Sequence, residues 1–114
     1  MYEYRAKVLD VVDGDTGDFL IDLGFRVSFQ IRVRFADINA PELKSPDPAT
    51  RAKAQAARAR VLTLIPIGSD CILRTRKDSQ ENYGRYLATV YVTAADTVSV
   101  NQTLLNEGLA VKYV

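Results

Sequence analysis

Three short segments of this 114-residue chain carry residue types that could do chemistry together. They are Val12-Asp13-Gly14-Asp15-Thr16, the stretch Arg34-Phe35-Ala36-Asp37-Ile38-Asn39-Ala40-Pro41-Glu42, and Asn82-Tyr83-Gly84-Arg85. Between them they supply carboxylates, arginines and a tyrosine. The chain has no histidine and one cysteine, so a histidine base, nucleophile or metal ligand is excluded. Proton transfer must fall to Asp, Glu, Lys, Tyr or water. Any metal must be a hard ion held by oxygen, such as Ca²⁺ or Mg²⁺. Cys71 has no partner within the chain and there is no CxxC pair, which removes disulfide and structural-zinc frameworks. Taken singly, each segment has a plainer reading: a hairpin turn, a strand exit with a solvated carboxylate, and a turn before a strand.

The elements that must position these residues follow from pattern. Tyr2 to Val12 alternates loosely and runs into the Asp-Gly-Asp turn, and Thr16 to Leu23 resumes as a second strand. A third run, Phe25 to Ala36, points Ile31, Val33 and Phe35 one way and Gln30, Arg32 and Arg34 the other. Two arginines on one strand face need solvent, a carboxylate or a ligand. Asp47 followed by Pro48 fits a helix cap with proline in the first helical position, and Ala49 to Ile65 is rich in helix formers. Within that helix Arg51, Lys53, Arg58 and Arg60 have no acidic partners, which reads as a solvated basic face or a nucleic-acid contact. Strands over Cys71 to Lys77 and Tyr86 to Thr93 flank a polar loop, and a short helix over Val100 to Glu107 ends at Gly108. Five strands and two helices, with one helix between the third and fourth strands, predict a mainly β, α+β domain over residues 1–114. Its architecture is a five-stranded oligonucleotide/oligosaccharide-binding (OB) barrel with both helices packed outside. Phe19, Phe25, Phe29, Tyr86 and Tyr91 have strand spacing and read as core or barrel-surface packing rather than stacking platforms for bases.

Together and in this order, the three segments resemble the staphylococcal nuclease (thermonuclease) family. A strand runs into Asp-Gly-Asp-Thr, an Arg stands eight residues before the Glu of a Pro-Glu pair, and Tyr-Gly-Arg opens the last barrel strand. Val100-Asn101, Leu104, Leu105 and Gly108-Leu109-Ala110 then follow. The likeness runs from about Lys7 to Val114; the family's further C-terminal helix has no counterpart in it. The resemblance implies an OB-type barrel that hydrolyses DNA and RNA phosphodiesters with Ca²⁺, leaving 3′-phosphate ends. By position it implies Arg34, Glu42 and Arg85 as the catalytic trio, Asp15 as a metal-binding carboxylate and Ala40 as a carbonyl ligand. It puts Tyr83 and Tyr113 beside the bound nucleotide. Where the best-known member has a second acidic metal ligand, two residues before the Pro, this chain has Asn39. That oxygen donor lacks a charge, so weaker calcium binding is expected, with Mg²⁺ as the alternative ion.

These side chains suit the reaction. In-line attack by water on a phosphodiester builds charge on the phosphate oxygens, and Arg34 and Arg85 can each donate a planar pair of hydrogen bonds to them. Donors aimed at developing charge lower barriers by about 3–4 kcal/mol each when water is excluded. Glu42 is the proton acceptor or the group that positions the water. The eight-residue offset selects Arg34 over Arg32, which is left to pair with a neighbouring carboxylate or to flank the site. The expectation is a calcium-dependent nuclease with little sequence preference, monomeric and acting on DNA, RNA or both. The alternative is the same barrel holding single strands or a protein partner without cutting them. Fifteen Lys/Arg against fourteen Asp/Glu argue against a DNA-coating protein. The sequence as written has no signal peptide and reads as cytoplasmic, or as secreted if a leader has been removed.

Overall fold

The computed structural model of the protein describes residues 2–75 and 86–113. Five strands close a barrel in the order β1-β2-β3-β6-β5: β1 Tyr2–Asp13, β2 Thr16–Asp22, β3 Ser28–Phe35, β5 Asp70–Thr75 and β6 Tyr86–Tyr91. Neighbours are antiparallel except β3 and β6, which run parallel over Val33–Phe35 and Tyr86–Ala88. Strand β1 serves two partners, pairing with β5 through Tyr2–Lys7 and with β2 through Ala6–Asp13. Register shifts between Val8 and Asp10 and between Val11 and Asp13 bend it round the barrel. This mixed five-stranded barrel with two helices is the OB architecture expected from the sequence.

The core is built from the inward parity of each strand: Val8, Phe19, Val33, Phe35, Leu73 and Val90 are all fully buried. Helix α1, Pro48–Leu64, turns Ala54, Ala57 and Val61 inward at spacings of three and four, followed by Ile65 at its cap. Asp47 caps it as expected, accepting from the Ala49 amide and the Thr50 hydroxyl. Helix α2, Val100–Asn106, is capped by Ser99, and Gly108 follows in the left-handed conformation that ends many helices.

Four details depart from the sequence reading. Strand β3 starts at Ser28, not Phe25, because Gly24, Phe25 and Arg26 all take positive φ and form the turn that joins it to β2. Phe25 is 100% exposed, so it packs against nothing, and Phe29 and Tyr86 are also exposed. Two of the basic residues of α1 find partners on other elements: Arg60 grips Glu107 with two bonds of 2.8 and 2.9 Å, and Arg58 donates to the Val11 carbonyl at 2.6 Å. Finally, Ile38–Asn39 (β4) and Val111–Lys112 (β7) form a two-stranded sheet that no two-residue pattern could signal. Residues 76–77 of the expected fourth strand, and the loop to Arg85, lie outside the described residues.

Candidate active site at one end of the barrel

The Asp13–Thr16 turn between β1 and β2, the end of β3 and the loop after it meet at one end of the barrel. Thr16 pairs with Arg34 in the ladder, and the Phe35 amide donates to the Asp15 carbonyl at 2.7 Å, so the turn is fixed against the strand that delivers the arginine. Both aspartates of the turn then hold the loop. The Asp15 carboxylate accepts the Ala40 amide at 2.8 Å and the Thr16 hydroxyl at 3.0 Å. Asp13 accepts the Leu43 amide at 3.0 Å. The loop segment carrying Glu42 is thus pinned on both sides of it, at 40 and at 43. Glu42 itself is exposed.

Gly14 explains why the turn can sit so low. A Cβ there would lie 2.7 Å from the Ala57 Cβ of α1 and 3.1 Å from the Ala40 Cβ. Only a residue without a side chain lets the turn, the helix and the loop close on one another.

Arg34 is buried, 7% exposed, although its strand parity faces away from the core. One guanidinium nitrogen lies 3.5 Å from the Asp15 carboxylate and another donates to the Asn39 side-chain oxygen at 3.2 Å. The Tyr113 ring lies against the guanidinium, 4.9 Å from its carbon to the ring centroid. Tyr113 is brought there by its own amide, which donates to the Asp37 carbonyl at 3.0 Å just past the β4–β7 pair. Arg32, two residues earlier, forms an exposed bidentate pair with Asp18, and that contact holds its guanidinium even more firmly protonated than usual. The two arginines of one face therefore have different fates, one neutralised on the barrel wall and one collected at its rim.

Of the residues singled out from the sequence, Asp15, Arg34, Asn39, Ala40 and Tyr113 come together here, with Glu42 on the loop they anchor. Tyr83 and Arg85 lie outside the described residues. Asp15 and Asn39 turn side-chain oxygens to the same guanidinium, and oxygen donors suit a hard cation such as Ca²⁺ or Mg²⁺. Among the described residues no group of three or more His, Cys, Asp or Glu gathers, and of Asp15, Asn39 and Ala40 only Asp15 carries charge. Asp18 is committed to Arg32 and Asp13 to the loop, so neither stands in for the missing carboxylate.

Three further residues take contacts or places here that the sequence reading did not give them. Asp13 anchors the Glu42 loop. Asn101, buried on α2, accepts the Val90 amide at 2.9 Å and donates to the Ala36 carbonyl at 2.9 Å, fastening the parallel junction behind the site. Lys53 has no ion pair among the described residues and lines an open groove of about 540 Å³ that begins at Asn39 and Ala40 and ends at Val111. Nothing in residue spacing announces these roles, since each depends on a partner 30 or more residues away or on another element.

This geometry coincides with a sequence match: residues 32–114 fit the family described as staphylococcal nuclease homologue. The chain belongs to that family. The chain is also 32% identical to the protein ParB of Escherichia coli over 97% of its own length and 58% of that protein's. It is 38% identical to the SPbeta prophage-derived endonuclease YokF of Bacillus subtilis over 90% of its length and 32% of that relative's. A micrococcal nuclease of Shigella flexneri is 29% identical over 97% of this chain and 59% of its own. The chain therefore spans between about a third and three-fifths of the length of these relatives. No described helix is long and apolar enough to cross a membrane.

Proposed function

We propose that the protein is a metal-dependent nuclease that hydrolyses phosphodiester bonds of DNA, RNA or both, with little sequence preference, leaving 3′-phosphate ends. The observation that carries this reading is Arg34: a buried guanidinium held at a barrel rim by a carboxylate and an amide oxygen, beside a loop bearing an exposed glutamate. A rigid, permanently charged fork at that place suits a phosphate that gains charge during in-line attack. Membership of the staphylococcal nuclease family and the nuclease names of its relatives support the same chemistry.

In this reading Arg34 donates to the non-bridging oxygens of the scissile phosphate, and Arg85 supplies the second fork. Glu42 accepts the proton of the attacking water or orients it, and Asp13 and Asp15 keep its loop in place. Asp15, Asn39 and the Ala40 carbonyl would hold a Ca²⁺, which when bound offsets charge on the phosphate and its attacking water. Tyr113, and Tyr83 beside it in role, would flank the nucleotide. The Lys53 groove gives the strand a way out past Asn39, with an ammonium placed for a neighbouring phosphate.

Incubation with single-stranded DNA and with RNA, in Ca²⁺, Mg²⁺ or chelator, tests the proposal through its products. Cleavage in Ca²⁺ that stops in chelator and leaves 3′-phosphate ends is expected. Binding without cleavage under every metal would instead make the protein a barrel that holds nucleic acid.

A further inference from the structure

The opposite end of the β2–β3 hairpin has features that the nuclease reading does not use. The Val27 amide closes on the Gly24 carbonyl at 2.8 Å, with both intervening residues at positive φ: Phe25 at 53° and Arg26 at 63°. This is the pattern of a type I′ turn, whose central pair is most often Asn-Gly because other side chains are strained there. Here the strained positions hold an aromatic ring that is wholly in solvent and a cation. Strain of this kind persists where something else depends on it.

Behind the turn lies an open groove of about 500 Å³, walled by Phe25 and Arg26 on one side and by Arg5 and Lys7 of β1 on the other. Arg5, Lys7 and Arg26 form no ion pair among the described residues. Asp22 and Asp70 share the groove, and Asp22 is occupied by the Gly24 amide at 2.8 Å, so the balance is three cations to two carboxylates. A solvent-facing ring set among cations is how barrels of this type hold single strands, by stacking bases and pairing phosphates. We propose that the turn and its groove form an accessory site for single-stranded nucleic acid, with a base stacked on Phe25 and adjoining phosphates paired with Arg26, Arg5 and Lys7. The inference rests on the nuclease reading for its choice of ligand. Seven residues of β2 put the turn about 20 Å from the catalytic end. Single strands occupy about 4–16 nucleotides on an OB barrel, which is enough to reach both ends at once.

The test is the double substitution Phe25→Asn/Arg26→Gly, which installs the favoured turn pair and removes the ring and the cation. Thermal melting should rise by about 4 °C or more, showing that the fold is intact and the strain relieved. In chelator, where nothing is cut, affinity for an oligothymidylate of about 16 nucleotides should fall about tenfold. With Ca²⁺, KM should rise on the long substrate and not on one of about four nucleotides, too short to reach the turn. Unchanged affinity for the long strand, or an equal loss on both lengths, would overturn the site. So would retention of wild-type protein on phosphatidylglycerol vesicles that the variant loses while its oligonucleotide binding stays intact, which would make the turn a membrane contact. If neither protein cuts DNA yet the variant loses long-strand affinity, the accessory site stands and the hydrolytic reading falls.

Discussion

Strands β2 and β3 are joined at one end through the Thr16–Arg34 pair and at the other through Asp22–Ser28, and the two ends are built in opposite ways. At the Thr16–Arg34 end charged side chains are buried and satisfied: Asp15 holds an amide and a hydroxyl, and Arg34 is held by Asp15 and Asn39. At the Asp22–Ser28 end an apolar ring is exposed on left-handed backbone. One end keeps polar groups where water would usually be displaced by apolar ones, and the other keeps an apolar group where water is. Each arrangement opposes what stability alone would select. The contrast teaches that function in this barrel is to be sought at both ends of one hairpin, with a conventional core between them.

Substitutions can break the contrast at the catalytic end. The largest effect is expected for Arg34→Ala, which in the proposed reading removes a fork from the scissile phosphate: turnover on single-stranded DNA should fall about 10²–10³-fold, read in steady-state cleavage. Asn101→Ala acts behind the site. It leaves the buried Val90 amide without its acceptor and takes the Asn101 donor from the Ala36 carbonyl, so urea unfolding should show a loss of about 2–4 kcal/mol. Gly14→Ala drives a methyl into Ala57 and should cost about 1–3 kcal/mol by the same measurement, with reduced cleavage because the Glu42 loop hangs from that turn. These losses set the catalytic end against the hairpin turn, where the Asn-Gly replacement should raise stability.

The smallest expected effect is a control at the start of α1. The Thr50 hydroxyl, with help from the Ala49 amide, holds the Asp47 carboxyl below its ordinary 3.8. A carboxyl whose folded value is depressed stabilises the fold above the unfolded value and loses that contribution as pH falls through the folded one. Asp47→Asn should therefore melt with a weaker pH dependence below about pH 4 and match the wild type in pH profile at neutrality. Burial pushes the Cys71 thiol up to about 12, with Asp70 adding to the effect, so Cys71 stays un-ionised through such titrations.

Much of this was legible in the residues. The helix starting at Asp47-Pro48 and ending before Pro66 is local chemistry, and the structure places it there. The barrel strands follow from alternation, and the gathering of Asp15, Arg34, Asn39 and Ala40 follows the spacing that the family shares. Phe25 was not legible, because an aromatic residue within an alternating run reads as strand, and only the positive φ at three successive residues reveals the turn. The partners of Arg58 and Arg60 were hidden for another reason: their acceptors sit 47 residues away, on β1 and just past α2, and helical spacing carries no information about them. The β4–β7 pair is too short to have a period. Asn101 looks in sequence like any polar helix residue, and its role exists only because β3 and β6 run parallel beside it.

The central claim is that the Asp15–Arg34 end of the barrel hydrolyses phosphodiesters with Glu42 serving the attacking water. The most direct measurement is the rate of Ca²⁺-dependent cleavage of single-stranded DNA by Glu42→Ala beside the wild type, with binding of the same strand followed in chelator. The account expects a rate lower by about 10²–10⁴-fold with binding unchanged. Equal rates in the two proteins would contradict it.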